Sequence, residues 1–276
     1  MSSLRLQYPC GQRDDVPRGE EAATRRERRY PGFFELNRRI SERFAGRLPH
    51  TRVNASGVYA RNVAREMGAF TGATAVDIGS GTACPYAIYK PSGSVIVALD
   101  VASDSLRVNA DVDARVVADA SYRLPLSDCS VDVLTSHWVL EHLRDVDRFV
   151  AESVRVLRPE GVAVHLFTCR KSWFARINRL LGEESARRLL YSIHPESRQA
   201  GGFPALYQHC TVDDMSSLHH AHGLDVIDAR VFYGTNYAYF FIPAFILVSL
   251  YELALQALNL RNSAATVILT VKKPGS

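Results

Sequence analysis

The sequence predicts an α/β fold in which a mostly parallel, seven-stranded sheet carries helices on both faces. Three observations predict it. Strand-like apolar runs alternate with helix-like segments along most of the chain, and this alternation is typical of a parallel sheet covered on both sides. A helix-like segment joins the fourth and fifth runs and stops at Pro159-Glu160-Gly161. The 276 residues, 47% of them hydrophobic and 22% charged, are enough for a sizeable globular core.

The first regular element is a helix, because four apolar residues recur at helical spacing. They are Tyr59, Val63, Met67 and Phe70. Seven strand-like runs follow, at residues 73–79, 94–100, 114–120, 131–137, 161–168, 224–232 and 264–272. Between the fifth and sixth runs, Thr211 is the expected N-cap of a short helix that Gly223 ends.

We expect a single domain over residues 32–276, preceded by a flexible basic arm at residues 1–31. The arm contains little that could form a core, and its RRERR run at 25–29 is typical of a solvated tail. A phosphate-binding or partner-binding arm is the alternative. Two stretches break the regular alternation, at about 169–210 and 234–263, and we interpret both as cap insertions.

Cysteine content and charge narrow the class of protein. The five cysteines are scattered and form no C-x-x-C pair, which fits a reducing cytoplasm better than a disulfide framework or a zinc site. The N-terminus is polar and arginine-rich, so no signal peptide is expected. The net charge of +4 neither favours nor excludes a nucleic-acid partner. We therefore expect a cytoplasmic protein.

The first strand runs into a glycine-rich turn within AVDIGSGTACPYAIY, residues 75–89. Glycines let a ligand approach the backbone closely, but this turn is not a phosphate motif. A dinucleotide fingerprint needs glycine where Cys84 stands, and no G-K-[ST] run follows Gly81. Asp77, two residues before the first glycine, suits a ligand that bears an ammonium group.

Acidic residues end the next two strands as well. Asp100 ends the second strand, where a carboxylate can accept both hydroxyls of a ribose. Asp119 and Ala120 end the third strand, where a side-chain acceptor can take an adenine amino group. The glycine turn alone is a weak signal, and these neighbouring strand ends strengthen it.

Two later stretches extend this series, LPLSDCSVDVLTSHWVLEHL at 124–143 and VLRPEGVAV at 156–164. With them, the chain resembles the class I S-adenosylmethionine-dependent methyltransferases, specifically the subgroup that includes the ubiquinone/menaquinone-type methyltransferases. The matched motifs span about residues 73–168 in order and spacing. The resemblance implies a Rossmann-like fold and S-adenosyl-L-methionine as cofactor. One departure is Ala83, which stands where the family often has a third glycine.

The resemblance also implies a role for each motif residue. The methionine end of the cofactor would be bound by Asp77, Gly79, Ser80 and Gly81. The ribose would be bound by Asp100, with Val101 beside it, and the adenine would be bound by Asp119 and Ala120. His137, just past the fourth strand, would lie beside the sulfonium.

A general base would deprotonate an acceptor hydroxyl or carbon acid. His137 is our first candidate, because ligands bind at the carboxyl ends of strands in open α/β sheets. His209 is the second, since it lies in a loop expected to cover the site. Glu141, His142 and His194 are further candidates, but the LEH run that holds the first two often starts a helix in this family.

No metal site is expected. Some relatives hold a divalent ion with an E-x-x-E-H pattern after the fourth strand, and here Trp138 replaces the first carboxylate of that pattern. Losing one hard oxygen ligand weakens a magnesium site considerably.

The second insertion contains a long apolar stretch, YAYFFIPAFILVSLYELALQAL at 237–258. A transmembrane span is excluded, because both flanking strands belong to one sheet and a single crossing would separate them by a bilayer. Glu252 and Gln256 also interrupt the apolar run. A buried cap helix, an apolar acceptor pocket, a homodimer interface and peripheral membrane contact remain as interpretations.

The chain is thus predicted to be a methyltransferase that acts on a small, hydrophobic or amphipathic acceptor by O- or C-methylation. The second insertion supplies apolar side chains for such an acceptor, namely Tyr237, Tyr239, Phe240, Phe241, Phe245 and Leu247. The first insertion supplies two aromatic and four basic residues, namely Trp173, Phe174, Arg170, Lys171, Arg176 and Arg179. Apolar walls with a few placed charges are typical of sites for amphipathic ligands.

Three other classes stay open at this stage. One is an enzyme that uses the same cofactor for non-methylating chemistry, such as a cyclisation. Another is a non-catalytic cofactor-binding protein recruited to a membrane. The third is a nicotinamide dehydrogenase, which Cys84 disfavours. Nucleic acid is not an expected substrate, since no N-P-P-Y or D-P-P-Y motif follows the fourth strand.

Overall fold

The computed structural model describes residues 29–182, 184–185, 188 and 203–275. Within these residues the α-helices are α1 (Arg29–Ala45), α2 (Ala55–Gly68), α3 (Ser103–Val108), α4 (Val146–Val156), α5 (Trp173–Leu181), α6 (Val212–Ala221) and α7 (Ile242–Ala257). The strands are β1 (Thr74–Ile78), β2 (Val95–Asp100), β3 (Ala114–Val117), β4 (Val131–His137), β5 (Leu157–Thr168), β6 (Asp225–Phe232) and β7 (Thr266–Lys272).

The strands form one sheet in the order β3-β2-β1-β4-β5-β7-β6. The first five strands run parallel, and β7 lies antiparallel between β5 and β6. The fold class and all seven predicted strands are therefore confirmed. The carboxyl ends of β1 to β6 share one edge of the sheet, which is where open α/β sheets bind ligands.

Helices cover both faces of this sheet, as the alternating pattern predicts. On one face α2 buries Tyr59, Val63 and Met67 completely, so the predicted stripe is confirmed. Its last member, Phe70, lies beyond the end of the helix at Gly68. On the other face α4 packs through Phe149 and its neighbours against β4 and β5.

Local signals place the helix ends where the sequence predicts them. The Thr211 hydroxyl accepts the amide of Asp214 at 3.1 Å and caps α6. Gly223 has a φ of +78° directly after that helix, a conformation that favours glycine. The strand β5 begins at Leu157 rather than at Gly161, because Leu157 already pairs with Val131 across a register shift.

The second insertion holds α7 between two antiparallel strands of the same sheet. Within the described ranges, no helix is long and apolar enough to cross a membrane. The basic arm lies outside the described residues except for its last three positions. The same is true, within the first insertion, of residues 183, 186–187 and 189–202, which include His194.

Candidate active site at the carboxyl edge of the sheet

The glycine turn follows β1 directly. Gly79 and Gly81 have φ values of +66° and +56°. A Cβ on Gly79 would lie only 2.3 Å from Cγ2 of Val139. The backbone at this point therefore has no room for a side chain, and its open side is free to approach a ligand.

Hydrogen bonds from neighbouring strands fix the shape of the turn. The amides of Gly79 and Ser80 donate to the carbonyl of Leu99 at 2.7 and 3.3 Å. Asn109 is fully buried and donates to the Ser80 hydroxyl at 3.1 Å and to the Gly81 carbonyl at 3.2 Å. These hydrogen bonds fix the conformation of the turn.

A second polar residue of the connection between α3 and β3 supports the turn as well. Oδ2 of Asp111 accepts the amide of Cys84 at 3.0 Å, and the Asp111 amide itself donates to Oδ1 of Asn109 at 3.1 Å. Sequence reasoning missed both residues. Two polar side chains in a short connector are a weak signal, and only the fold brings them to the turn.

Asp77 is buried under the turn, with 1% of its surface exposed. Its Oδ1 accepts the hydroxyl of Thr135 at 2.8 Å, and that hydroxyl also lies 2.8 Å from the phenol oxygen of Tyr86. Burial raises the pKa of Asp77 to about 6, against the hydrogen bonds that lower it. A buried carboxylate without a cationic partner among the described residues is suited to a ligand ammonium group.

Asp100 lies at the end of β2 with both carboxylate oxygens engaged. Oδ2 accepts the amide of Gly81 and Oδ1 accepts the amide of Ala102, each at 2.8 Å. Each oxygen retains a second lone pair, so two ligand hydroxyls can still be accepted. Asp100 therefore also supports the glycine turn, a role that the sequence does not reveal.

The residues predicted to hold an adenosine lie around this carboxylate. Val101 exposes 52% of its surface beside Asp100. Oδ1 of Asp119 accepts the Ser121 amide at 2.8 Å, which fixes the loop after β3, and Ala120 is buried there. The ends of β1, β2 and β3 thus present Asp77, Asp100 and Asp119 along one edge.

His137 ends β4 at the same edge. Its Nε2 lies 3.0 Å from the hydroxyl of Ser56 on α2, and its ring centroid lies 5.1 Å from that of Tyr59. Burial lowers the pKa of His137 to about 4, so the imidazole is neutral near pH 7. A neutral imidazole can accept a proton, provided that an acceptor group reaches it.

His209 is placed differently. Its side chain is exposed, its φ is 55°, and its carbonyl accepts the amide of Thr211 at 2.7 Å. Within the described part of the chain, no hydrogen bond or ring contact joins it to His137. The two predicted catalytic histidines are therefore not brought together.

Glu141 follows β4 and is buried. Its Oε1 accepts the amide of Thr168 at 3.2 Å, and its carbonyl accepts the amides of Leu206 and Tyr207. Burial raises the pKa of Glu141. These contacts attach the returning end of the first insertion to the sheet, which gives Glu141 a structural role. No group of three or more His, Cys, Asp or Glu suited to a metal ion occurs among the described residues.

The two insertions meet above this edge in an aromatic cluster. The ring of Tyr237 lies 4.7 Å from that of Phe174 and 6.4 Å from that of Trp173. Nε1 of Trp173 donates to Oε1 of Glu252 at 3.3 Å. The predicted cap insertions are thus in contact with each other.

Glu252 is the anchor of α7. It is 1% exposed, its Oε1 also accepts the Thr235 hydroxyl at 2.8 Å, and its Oε2 lies 3.3 Å from Nε2 of His50. Burial raises the pKa of Glu252 to about 7 and lowers that of His50. The residue that interrupts the apolar run in the sequence therefore fixes the helix to the domain. His50 and Thr235 were not identified from the sequence.

Comparisons with known proteins agree on the kind of domain. Residues 76–165 match a family model described as a methyltransferase domain. A probable S-adenosylmethionine-dependent methyltransferase from Mycolicibacterium smegmatis is 36% identical over 107 residues, which cover 39% of each chain. A demethylmenaquinone methyltransferase from Thermobifida fusca is 30% identical over 100 residues, which cover 34% of this chain and 42% of the relative. The chain thus spans about two fifths of the length of the curated relatives it matches.

Solved structures resemble the chain over a longer range at low identity. The [4+2]-cyclase SpnF is 18% identical, with a TM-score of 0.51 over 79% of this chain and 80% of that one. A putative methyltransferase in complex with the Trm112 activator of Haloferax volcanii is 17% identical, with a TM-score of 0.51 over 85% of this chain and 96% of that one. At such identities the likeness establishes the fold alone.

Proposed function

Because residues 76–165 form a methyltransferase domain of the class I S-adenosylmethionine-dependent type, we propose that the protein transfers a methyl group to a small, hydrophobic or amphipathic acceptor at oxygen or carbon. The observation that carries this proposal is the position of three acids at the carboxyl ends of three neighbouring strands, two of them at the glycine turn. Asp77 lies under the Gly79–Gly81 turn, and Asp100 and Asp119 follow the neighbouring strands. We assign this activity to a single domain at residues 32–276.

Each end of the cofactor has a matching group in this arrangement. We assign the methionine ammonium to Asp77 and the methionine carboxylate to the backbone of Gly79, Ser80 and Gly81. The remaining lone pairs of Asp100 would accept the ribose hydroxyls, with Val101 against the sugar and base. Asp119 and Ala120 would border the adenine. The glycine turn fits this assignment because no side chain projects from Gly79, where a Cβ would lie 2.3 Å from Cγ2 of Val139.

S-adenosyl-L-methionine supplies an electrophilic methyl group on a sulfonium. The protein contributes orientation, which is worth about 7–11 kcal/mol in favourable intramolecular cases. His137 would accept the acceptor proton, since it ends β4 at the carboxyl edge and its ring is held by the Ser56 hydroxyl. Burial lowers its pKa to about 4, which keeps the ring unprotonated but also weakens it as a base. His209 is the weaker candidate, because its exposed side chain would need the covering loop to move.

The aromatic cluster supports an apolar acceptor. Trp173, Phe174 and Tyr237 lie at the junction of the two insertions, above the edge that holds His137. Arg176 and Arg179 lie farther along α5 and are exposed. A site with apolar walls and a few cations at its rim suits an amphipathic acceptor with an anionic group.

The test uses S-adenosyl-L-methionine labelled on the methyl group, with a pool of quinone, polyketide, terpenoid and lipid-linked acceptors. We expect label in an organic-solvent extract together with S-adenosylhomocysteine. A matched variant, Phe241→Ser with Phe245→Ser, should lower the rate with these acceptors while the protein stays folded. Cofactor binding without S-adenosylhomocysteine, or equal methylation of a small polar compound by the variant, would contradict the proposal.

A further inference from the structure

The helix α7 presents an apolar face to the outside of the protein. Ile246, Leu247 and Leu250 recur on one side of the helix and expose 51%, 70% and 61% of their surfaces. A surface helix normally buries its apolar side and exposes its polar side. In α7 this distribution is partly reversed, because the exposed side is apolar and the buried side is mixed: Phe245, Ser249, Glu252 and Leu255.

The neighbouring helix α1 has the same partly reversed distribution. Asn37, Ser41 and Ala45 repeat every four residues and are its buried positions. Three large apolar side chains on α1, those of Phe33, Leu36 and Phe44, expose 54%, 59% and 52% of their surfaces. Two adjacent helices with this pattern are unusual for a surface that faces only water.

The two helices are in direct contact. Oδ1 of Asn37 accepts the amide of Ile242 at 3.1 Å, and the rings of Phe34 and Phe240 lie 6.1 Å apart. Their exposed apolar side chains therefore belong to one region, which we call the apolar cap face. It comprises Phe33, Leu36, Phe44, Ile246, Leu247, Leu250 and Leu258. Within the described residues, Arg47 lies over the ring of Phe44 at 5.8 Å and Phe34 contacts Phe33, and every member of the face still exposes half of its surface or more.

Basic side chains lie on α5 and the loop before it, and α5 is the helix that contacts α7 through its first residue. Four of them, with the 86% exposed Leu180, line one surface groove: Arg170, Lys171, Arg176 and Arg179. Within the described ranges, Asp214 is the acidic residue that approaches this group, at 3.9 Å from Arg170. The helix α5 is tied to α7 through the bond between Trp173 and Glu252. Among the described residues, the cations of this groove thus outnumber the carboxylates near them, with Asp214 facing Arg170.

We propose that the apolar cap face docks on the surface of a lipid bilayer that contains anionic headgroups. Apolar side chains would enter the boundary between headgroups and acyl chains, while the arginines of α5 would contact headgroup phosphates. The helix α7, with 16 residues, is about 24 Å long and lies in the plane of the interface rather than across an acyl core of about 30 Å.

Charge distinguishes this occupant from a second copy of the chain. A symmetric pair brings the same patch of both copies together. The basic groove of one copy would then border the basic groove of the other, with few carboxylates to neutralise either. Anionic headgroups supply the missing negative charge, at about 1 kcal/mol for each basic side chain near the surface.

Flotation of the full-length protein with vesicles tests the proposal. Vesicles of phosphatidylglycerol and phosphatidylcholine should carry the protein, and vesicles of phosphatidylcholine alone should carry much less of it. Leu247→Glu with Leu250→Glu should lower the vesicle-bound fraction at least about tenfold, because two apolar anchors become charged. Val108→Glu with Ile227→Glu is the matched control, since both residues are similarly exposed but lie elsewhere. That variant should float as the parent does.

A second variant tests the contribution of charge. Arg176→Glu with Arg179→Glu should weaken binding to anionic vesicles by more than about fivefold for each position, and should not weaken binding to neutral vesicles. Circular dichroism and calorimetry with S-adenosyl-L-methionine verify that each variant is folded. If the variant with both Leu247→Glu and Leu250→Glu unfolds, Leu247→Glu alone takes its place.

Three results would overturn the proposal. The parent could fail to float with anionic vesicles, or the cap and control variants could float equally. Light scattering could also show a parent dimer that Leu247→Glu with Leu250→Glu dissociates while vesicle binding stays unchanged. That last result would assign the apolar cap face to a second copy. None of these results depends on methyl transfer, so the docking proposal and the proposed function can fail separately.

Discussion

The carboxyl edge of the sheet and the cap, by which we mean the helices α1 and α7, are organised in opposite ways. At the edge, polar groups converge on an open turn, and nearly all of them are held by backbone amides or by one another. In the cap, α1 and α7 turn polar groups inward and apolar groups outward. The edge has the character of a small-molecule site, and the cap has the character of a contact surface.

The two regions also depend on different kinds of contact. The cofactor edge depends on sheet register, because parallel pairing places Asp77 beside Thr135 and the ends of β1 and β2 together. The cap depends on contacts between distant segments, such as that between His50 and Glu252. We therefore propose that the first region binds the cofactor and that the second forms the contact surface.

The largest effect is expected at His137, which ends β4 at the carboxyl edge. His137→Ala should reduce turnover by roughly 10²–10⁴, the range of a lost general base. Affinity for S-adenosyl-L-methionine, measured by calorimetry, should change by less than about threefold. Ser56→Ala is the matched control, because it removes only the hydroxyl that holds Nε2. Equal losses of turnover and affinity in the His137 variant would make His137 a cofactor contact instead of a base.

A slightly smaller effect is expected inside the cofactor edge. Gly79→Val combines a positive φ with a clash against Val139 and should weaken cofactor affinity by about 3 kcal/mol, or about a hundredfold. Gly81→Ala shares the positive φ, but its Cβ meets no atom within 4 Å, so its loss should be smaller. If calorimetry gives the two variants equal affinities, the Val139 contact does not shape the site.

Cofactor affinity should also depend on pH. The pKa of Asp77 is raised to about 6, so the carboxylate is mostly protonated at pH 5 and attracts an ammonium group only above that. Affinity should therefore rise about tenfold from pH 5 to a plateau near pH 7. Asp77→Asn should bind weakly at every pH in this window. Retention of the pH dependence in the Asn variant would assign the titration to another group.

The smallest effect concerns the cap. The pKa of Glu252 is raised to about 7 from 4.5, so the folded state prefers the protonated carboxyl and its stability falls as pH rises from about 5 to 7. Glu252→Gln removes this titration and keeps an oxygen for Thr235 and Trp173. Urea titration gives the difference in unfolding free energy between variant and parent. As the pH rises from 5.5 to 7.5, this difference should shift by about 1–2 kcal/mol in favour of the variant.

Cofactor affinity of the Glu252 variant should stay equal to that of the parent, because Glu252 anchors the cap and not the turn. A constant stability difference across this pH range would contradict the titration of Glu252. A loss of cofactor affinity would show that the two regions are more strongly coupled than their contacts indicate.

Sequence reasoning reached the strands and the strand-end acids because both are local patterns. Apolar runs identify buried strands, and Asp77 and Asp100 stand at fixed places relative to them. Thr135 could be paired with Asp77 only once the order of the strands is known, and Ser56 lies 81 residues from His137. Such partners carry no local signal.

The cap was predictable only as a set of alternatives. The sequence shows that 237–258 is apolar, but it does not show which side of the helix is buried. The buried side is decided by Glu252, whose partners come from the segment before α2, from the loop before α7 and from α5. A charged residue that appears to interrupt an apolar face is here the residue that fixes its orientation.

The central claim is that the carboxyl edge binds S-adenosyl-L-methionine through the acid at the end of β2. Calorimetric titration of the parent and of Asp100→Ala tests it most directly, with Asp100→Asn as the variant that keeps one oxygen acceptor. We predict one cofactor per chain for the parent and at least about tenfold weaker binding for Asp100→Ala, since each lost hydrogen bond to a charged group is worth about 1.5–3 kcal/mol. Asp100→Asn should fall between the two. Unchanged affinity in Asp100→Ala, or binding of a nicotinamide dinucleotide in preference to S-adenosyl-L-methionine, would contradict the claim.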